Sequence, residues 1–261
     1  MSLLEPIRLL GSGTLSLLAG LGAFALFVLR MVALLPKSLL RPRLIIEQIH
    51  FIGNYSLVII VVSGLFVGFV LGLQGYYTLQ RYGAEEALGL LVALSLVREL
   101  GPVVSALLFA GRAGTSLTAE IGLMKAGEQL AAMELMAVDP KQRILAPRWA
   151  AGLLSVPLLA SLFSAVGILG GYVVGVLLIS VDSGAFWSQM QSGVDFTSDI
   201  LNGVVKSVVF GFAVTAIALY QGFSCKPTPE GVSRATTRTV VISSLVVLGF
   251  DFILTALMFS V

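Results

Sequence analysis

The sequence predicts an all-α integral membrane protein, with an N-terminal interfacial helix, five transmembrane helices and a charged cytoplasmic helix. Of its 261 residues, 57% are hydrophobic and 11% are charged, and the mean hydropathy is +0.99. Soluble domains carry about 25% charged residues. Long uncharged stretches alternate with short basic segments, which is the pattern of a chain that crosses the bilayer repeatedly.

The N-terminal region, residues 1–47, contains an uncharged stretch from Leu9 to Leu29. Arg8 precedes this stretch, and several basic residues follow it: Arg30, Lys37, Arg41 and Arg43. A crossing here would place basic clusters on both membrane faces, against the positive-inside rule. We therefore predict a helix lying in the cytoplasmic interface, with a true span as the open alternative.

Residues 48–261 form the predicted five-span domain, with spans near 52–78, 87–110, 149–180, 200–222 and 239–259. Lysine and arginine concentrate in the segments assigned to the cytoplasm, whereas the outer segments hold Arg81 alone. This asymmetry places the N-terminus inside and the C-terminus outside. Ser224 to Arg238, rich in turn residues and basic residues, is predicted to be a cytoplasmic loop.

Two spans carry a small residue at every fourth position, which lets another helix approach closely. The predicted helix-packing glycines are Gly64, Gly68, Gly72, Gly167, Gly171 and Gly175. Packing within one subunit and packing between two subunits both agree with this pattern.

Charged residues inside the spans are the first candidates for a functional site. Arg98 and Glu99 lie roughly 16 Å deep, beside a kink expected at Gly101–Pro102. They either line a polar cavity that handles a charged headgroup or form ion pairs with other helices, such as Arg98 with Asp251. Lys206 either extends to the interface or joins the same cavity.

A polar segment, residues 119–140, separates the second and third spans. Its helix-forming residues predict one helix of about 18 residues, near 119–137, before Pro140. Its apolar residues spread around the helix, so we expect it to dock into another protein. The candidate contact residues are Glu120, Met124, Lys125, Glu128, Gln129, Met133, Glu134, Met136 and Asp139.

Several chemistries have no counterpart in the sequence. The single cysteine, Cys225, and the single histidine, His50, are too few for an internal disulfide or a zinc site, and the net charge of +2 does not suggest nucleic acid. No P-loop, GxSxG or HExxH motif occurs. We therefore expect no metal, no cofactor and no catalytic residues, with energy supplied by a partner or an ion gradient.

The motifs around the polar segment resemble those of the MlaE-type permeases, the membrane subunits of lipid-moving ABC transporters. The matching stretches cover roughly 40–261: Val97-Arg98-Glu99-Leu100-Gly101-Pro102-Val103, Gly111-Arg112-Ala113-Gly114, Ala119-Glu120-Ile121-Gly122, Glu128-Gln129, Val138-Asp139-Pro140, Pro147-Arg148 and Ser233-Arg234-Ala235-Thr236-Thr237-Arg238.

The resemblance implies a homodimer in the Gram-negative inner membrane that moves phospholipids between the inner and outer membranes and preserves outer-membrane asymmetry. It implies a cytoplasmic ATPase dimer that binds ATP and Mg²⁺, a STAS-domain protein on the ATPase, and a periplasmic MCE-domain hexamer. The polar segment would be the coupling helix, and the first apolar run an interfacial elbow helix.

The resemblance also implies a lipid in an outward-facing cavity at the homodimer seam. The residues carried over to it are Leu71, Leu79, Tyr82, Arg98, Glu99 and Lys206. An ion-coupled secondary transporter with Glu99 and Asp251 as proton sites, and a membrane scaffold, remain the alternatives from the residues. Within the family, a sterol or another hydrophobic molecule is the alternative substrate.

Overall fold

A computed structural model describes residues 4–259, with the side chains of residues 14, 15 and 18–258. The side chain of Arg8, part of the charge argument for the first helix, lies outside the described residues. Nearly all of the described chain is helical, without a strand. The α-helices are α1 (Leu4–Leu39), α2 (Pro42–Ile49), α3 (Tyr55–Gln80), α4 (Leu88–Leu94), α5 (Gly101–Phe109), α6 (Thr115–Ala126), α7 (Gln129–Leu135), α8 (Ala146–Tyr172), α9 (Ser183–Gly193), α10 (Leu201–Ser224) and α11 (Pro229–Phe259).

Short π-helical turns join several of these helices into longer rods. They lie at His50–Asn54, Ser95–Leu100, Ala110–Gly114, Lys141–Leu145, Val173–Leu178 and Phe196–Ile200. Six stretches of the described chain are long and apolar enough to cross a membrane: Leu18–Leu39, Pro42–Gln80, Glu85–Ala126, Lys141–Leu178, Phe196–Ser224 and Pro229–Met258. The chain is therefore an all-α, multi-pass membrane protein.

Helix α8 lies at the centre of the bundle, where it contacts α2, α3, α5 and α10. Three large aromatic side chains from different helices meet in this core and are fully buried: Phe109, Phe163 and Phe210. Helix α11 packs mainly on α10 and α6. Its remaining surface exposes large apolar side chains, including Leu245, Phe252 and Leu257, so α11 forms an edge of the bundle.

The glycines of α3 lie directly against α8 of the same chain. A Cβ atom on Gly64 would lie 3.0 Å from the carbonyl oxygen of Phe163, and one on Gly68 would overlap the carbonyl oxygen of Gly167. A Cβ on Gly72 would lie 3.0 Å from the carbonyl oxygen of Gly171. These glycines of α3 are buried in a contact between two helices of one chain, so they pack within one subunit.

The predicted single helix over 119–137 is wrong, because the structure has two shorter helices there. The rod of the second span continues through α6 to Ala126, and α7 covers only Gln129–Leu135. Glu128 between them has a left-handed backbone with φ of 57°, and Ala137 after α7 has φ of 59°. The composition favours helix on both sides of Glu128, but a residue with left-handed backbone cannot continue an α-helix, so the helix ends there.

The predicted loop from Ser224 to Arg238 is also mostly helical. Helix α11 begins at Pro229, the position where proline favours a helix start because its missing N–H needs no partner. The Thr228 hydroxyl accepts a hydrogen bond from the backbone N–H of Gly231 at 3.1 Å, which caps the helix. Arg234 and Arg238 therefore lie on the first turns of α11 rather than in a loop.

Helix α1 is longer than the predicted Leu9–Leu29 stretch and contacts the ends of α8 and α10. Phe27 and Met31 are buried against a cluster that includes Leu145 and Trp149. This contact ties α1 to one end of the bundle. Length and composition alone would also allow Leu18–Leu39 to cross, so the interfacial position of α1 stays a prediction.

Candidate functional site

Lys206 of α10 is the centre of a charged cluster inside the bundle. Its side chain is 2% exposed, and its ammonium group donates hydrogen bonds to Glu99 Oε2 at 2.6 Å and to Thr255 Oγ1 at 2.7 Å. Asp251 Oδ1 lies 3.4 Å from the same nitrogen. Charges from three separate rods thus meet at one point, with two carboxylates around one ammonium group.

The π-helical turn Ser95–Leu100 positions Glu99 in this cluster. Pro102 has no N–H to donate to a carbonyl one turn earlier, so the regular α-helical pattern is interrupted here. The wider turn rearranges the backbone bonds, and the Ser164 hydroxyl donates to the Leu96 carbonyl at 3.2 Å. Such turns frequently occur at functional sites in helices.

Arg98 points to a different partner from the one that the sequence suggested. Its guanidinium forms an ion pair with Asp199, whose side chain is 1% exposed, while Asp251 pairs with Lys206. Asp199 also accepts a hydrogen bond from the backbone N–H of Asp195 at 2.8 Å. The side chain of Arg98 is 31% exposed. Arg98 therefore combines a buried partner with access to the surface.

Arg98, Glu99 and Lys206 line one cavity of about 110 Å³, together with Ser198, Asn202, Thr255 and Met258. This volume lies below the roughly 300–1,000 Å³ of typical ligand pockets. One chain therefore does not by itself provide a cavity of the size that a whole phospholipid needs.

The other three residues predicted for the lipid cavity lie elsewhere. Leu71 and Leu79 of α3 are partly buried against the core of the chain. Tyr82 follows α3 and is 80% exposed. None of the three lines the cavity of the charged cluster. The six predicted residues therefore form two groups within the chain, and their meeting at a dimer seam stays a prediction.

The nine residues predicted to contact an ATPase also divide into two groups. Glu120 forms an ion pair with Arg148, and Met124 packs into the cluster beneath α1. Lys125 donates to the carbonyl oxygens of Phe223 at 2.8 Å and of Cys225 at 2.9 Å. The remaining six stay exposed or half-buried in and around α7: Glu128, Gln129, Met133, Glu134, Met136 and Asp139.

Two apolar residues that the sequence analysis did not select are exposed beside these six. Leu135 is 90% exposed, and Leu123 is 60% exposed. Leu130, by contrast, anchors α7 against the core. Exposed leucines in a segment outside the bundle favour a protein contact, and their position among charged residues was the signal available in the sequence.

Helix α6 is joined closely to both helices that carry partners of Glu99. The buried Thr118 hydroxyl lies 2.8 Å from that of Thr239 on α11 and 3.0 Å from the Ala218 carbonyl on α10. Lys125 holds the C-terminal carbonyls of α10, as described above. These hydrogen bonds connect α6 to α10 and α11, the helices that carry Lys206 and Asp251.

Buried charges on several apolar rods, with an exposed polar segment at one end, define a membrane protein of the permease class. Residues 45–257 match the family model described as permease MlaE. The chain belongs to the MlaE permease family.

Curated relatives agree with this assignment. The "Intermembrane phospholipid transport system permease protein MlaE" of Haemophilus influenzae is 62% identical over 229 residues, which cover 87% of this chain and 88% of that protein. A "Probable ABC transporter permease protein" of Rickettsia typhi is 37% identical over 259 residues, covering 99% and 100%. The chloroplastic protein "TRIGALACTOSYLDIACYLGLYCEROL 1" of Arabidopsis thaliana is 27% identical over 214 residues, covering 82% and 61%.

Proposed function

We propose that this chain is the membrane-spanning permease subunit of an ABC transporter that moves phospholipids between the inner and outer membranes and maintains outer-membrane lipid asymmetry. The observation that carries the proposal is the 62% identity with the Haemophilus permease, whose name states intermembrane phospholipid transport. The charged cluster inside an otherwise apolar bundle supports it, because a phospholipid combines an anionic phosphate with two apolar tails.

Within the cluster, Arg98 is the residue proposed to bind the phosphate. Its guanidinium contacts Asp199 and is still 31% exposed, whereas Lys206 is 2% exposed and contacts three polar side chains. An exposed guanidinium is well suited to a phosphate, because it is planar and always charged. Lys206 then holds Glu99 and Asp251 in place. Since the cavity that one chain forms here is only about 110 Å³, below the size of typical ligand pockets, the lipid-sized cavity is proposed to form between two copies of the chain.

The proposed assembly contains a homodimer of this chain in the inner membrane and two copies of a cytoplasmic ATPase. The exposed part of the polar segment, with Leu135 and Met136, is the proposed contact with that ATPase, which alone binds ATP and Mg²⁺. A STAS-domain protein on the ATPase and a periplasmic MCE-domain hexamer complete it. This chain itself has no catalytic role in the proposal.

Reconstitution tests the proposal. The chain is expressed with its ATPase, co-purified, and inserted into liposomes that contain fluorescent phospholipid. ATP-dependent lipid movement is expected, and Arg98→Ala should reduce it about tenfold or more through loss of a charge-assisted contact of about 1.5–3 kcal/mol. Arg98→Lys should retain part of it. Arg43→Ala, which removes an exposed ion pair with Glu47, is the control.

Two outcomes would contradict the proposal. Lipid movement driven by a proton gradient without ATP would favour an ion-coupled transporter that uses Glu99 and Asp251. Normal ATP-driven transport by Arg98→Ala, with normal lipid cross-linking at residues 71–82, would remove Arg98 from the lipid site.

A further inference from the structure

A second basic cavity lies far from the charged cluster, between α1 and the C-terminal end of α10. Its volume is about 300 Å³, and it also touches the turn that leads into α8. Its lining residues are Ala23, Leu26, Phe27, Arg30, Lys141, Tyr220, Phe223 and Ser224. Segments distant in the sequence thus bring an arginine and a lysine to one cavity.

The two cations have no carboxylate partner among the residues whose side chains are described, since no ion pair of Arg30 or Lys141 occurs there. Asp139, the nearest acidic residue in the sequence, accepts a hydrogen bond from the backbone N–H of Lys141 at 2.9 Å instead. At the C-terminal end of α10, the carbonyl oxygens of Phe223 and Cys225 accept hydrogen bonds from a third cation, Lys125. Two like charges that share a cavity favour an anion between them.

Apart from Ser224, the rest of the lining is apolar and aromatic. The ammonium group of Lys141 lies 5.3 Å from the centre of the Phe223 ring, and Tyr220 packs edge-on against Phe27 with ring centres 5.5 Å apart. Leu26 is exposed beside them. Aromatic rings, basic heads and an exposed leucine together are typical of the membrane–water boundary.

We propose that this cavity binds the phosphate group of an anionic phospholipid from the cytoplasmic leaflet. Arg30 and Lys141 contact the phosphate, the Ser224 hydroxyl offers a further polar contact, and the acyl chains run along Leu26 into the bilayer. Basic pockets between membrane helices on the cytoplasmic side are known to bind anionic headgroups. The bound lipid would join α1 to α10, at a site separate from the outward-facing cavity.

This inference rests on the proposed cytoplasmic position of α1, and photo-cross-linking tests it separately from transport. A benzophenone amino acid replaces Ala23 in the full chain, in complex with its ATPase. The complex is reconstituted into vesicles that contain equal amounts of phosphatidylglycerol and phosphatidylcholine. In each experiment only one of the two lipids is radiolabelled. A second reporter at Leu71 monitors the outward-facing side.

Phosphatidylglycerol is expected to be preferred at residue 23. Each of Arg30→Ala and Lys141→Ala should reduce that preference about fivefold, and the double variant should abolish it. Arg30→Lys with Lys141→Arg should retain it, and Arg43→Ala should leave it unchanged. The signal at Leu71 should not change in any of these variants.

An unchanged preference in the double Ala variant would overturn the proposal, as would an equal loss in Arg43→Ala. If the double Ala variant also loses the Leu71 signal, the variant that combines Arg30→Lys with Lys141→Arg is the deciding measurement. Loss of the phosphatidylglycerol preference at residue 23 in that variant overturns the proposal as well. Normal ATP-driven transport without a preference at residue 23 would reject this site and leave the proposed function intact. A preference for phosphatidylglycerol at residue 23 without ATP-driven transport would support this site and contradict the proposed function.

Discussion

At the scale of single residues, the two intramembrane cations have different tasks because their surroundings differ. Lys206 is buried, with three polar side chains within hydrogen-bond reach. Arg98 is partly exposed and has its buried partner, Asp199, on one side. Truncating a buried charge leaves its partners uncompensated, whereas an exposed charge is partly solvated. The structural contribution of Lys206 should therefore exceed that of the exposed pairs.

Lys206→Met should lower the free energy of unfolding by about 2–3 kcal/mol, because Glu99 and Asp251 then share a confined site without a cation. Thermal unfolding in detergent measures this loss. The variant that combines Glu99→Gln, Lys206→Met and Asp251→Asn should recover much of it, since no uncompensated charge remains. Arg43→Ala should change stability by less than about 0.5 kcal/mol. Equal melting of Lys206→Met and the unaltered protein would show that the cluster does not stabilise the bundle.

A substitution at Glu128 tests whether the polar segment contacts the ATPase, because the side chain can be removed there while the backbone conformation is kept. Its left-handed φ of 57° suits glycine, so Glu128→Gly should keep the turn between α6 and α7. If the carboxylate contacts the ATPase, Glu128→Gly should weaken ATPase binding about tenfold, as expected for a charged hydrogen bond. Co-purification and ATPase stimulation measure this.

The matched control for Glu128→Gly is Ala137→Gly, which introduces glycine at a second left-handed position, φ 59°, without removing a charge. It should leave ATPase binding unchanged. If both glycine variants behave like the unaltered chain, the Glu128 carboxylate is not part of the contact.

At the scale of helices, the contact between α3 and α8 depends on the absence of side chains. A Cβ on Gly68 would overlap the backbone of Gly167, which has no flexible end to move aside. Gly68→Ala should therefore cost about 1–3 kcal/mol, although alanine is the better helix former. A Cβ on Gly22, in α1, would have no atom within 4 Å, so Gly22→Ala should not lower the free energy of unfolding. Melting temperatures in detergent compare the two, and equal stability would contradict the close approach of α3 and α8.

The helices could be predicted from the sequence to the extent that hydrophobic length determines them. Each of the five predicted spans overlaps an apolar helical stretch of the described chain, because the hydrophobic length that a membrane requires is a property of many residues together. The breaks were missed because they depend on single residues: the left-handed Glu128 splits the polar segment, and Pro229 starts α11 early. Their effects on the backbone are local, so composition over a window does not reveal them.

The candidate site could be predicted in part for the same reason. Arg98, Glu99, Lys206 and Asp251 stood out as charges in apolar sequence, but their pairing depends on which helix faces each lie together. Asp199 was not selected from the sequence, although its side chain is buried against Arg98. Pairing across helices is a tertiary property, which one sequence does not determine.

At the scale of the whole molecule, the segments group at two ends of the bundle as the charge pattern suggests. The turn before α4 packs near α9, whereas α6, α1 and the start of α11 meet at the other end. Arg81 lies beside the first group, whereas the second group and the turns before α2, α8 and α11 together contain most of the basic residues. The positive-inside rule predicts that the second end faces the cytoplasm. Phe27 and Met31 attach the C-terminal half of α1 to that end, and the interfacial position of α1 stays a prediction.

Cysteine labelling tests this orientation for the entire chain. Burial raises the pKa of the Cys225 thiol, while the Lys125 ammonium opposes that shift, so replacing Cys225 with alanine removes only a weakly reactive background. Single cysteines are then placed by Glu5→Cys, Ser192→Cys and Lys226→Cys. A maleimide that does not cross the inner membrane is expected to label Ser192→Cys in cells with a permeabilised outer membrane. It should reach the other two only after lysis, because both lie on the cytoplasmic side in the proposed orientation. Labelling of Glu5→Cys before lysis, with Lys226→Cys still protected, would mean that α1 crosses the bilayer and that the chain has six spans. Labelling of Lys226→Cys before lysis would invert the bundle and separate the polar segment from any cytoplasmic ATPase.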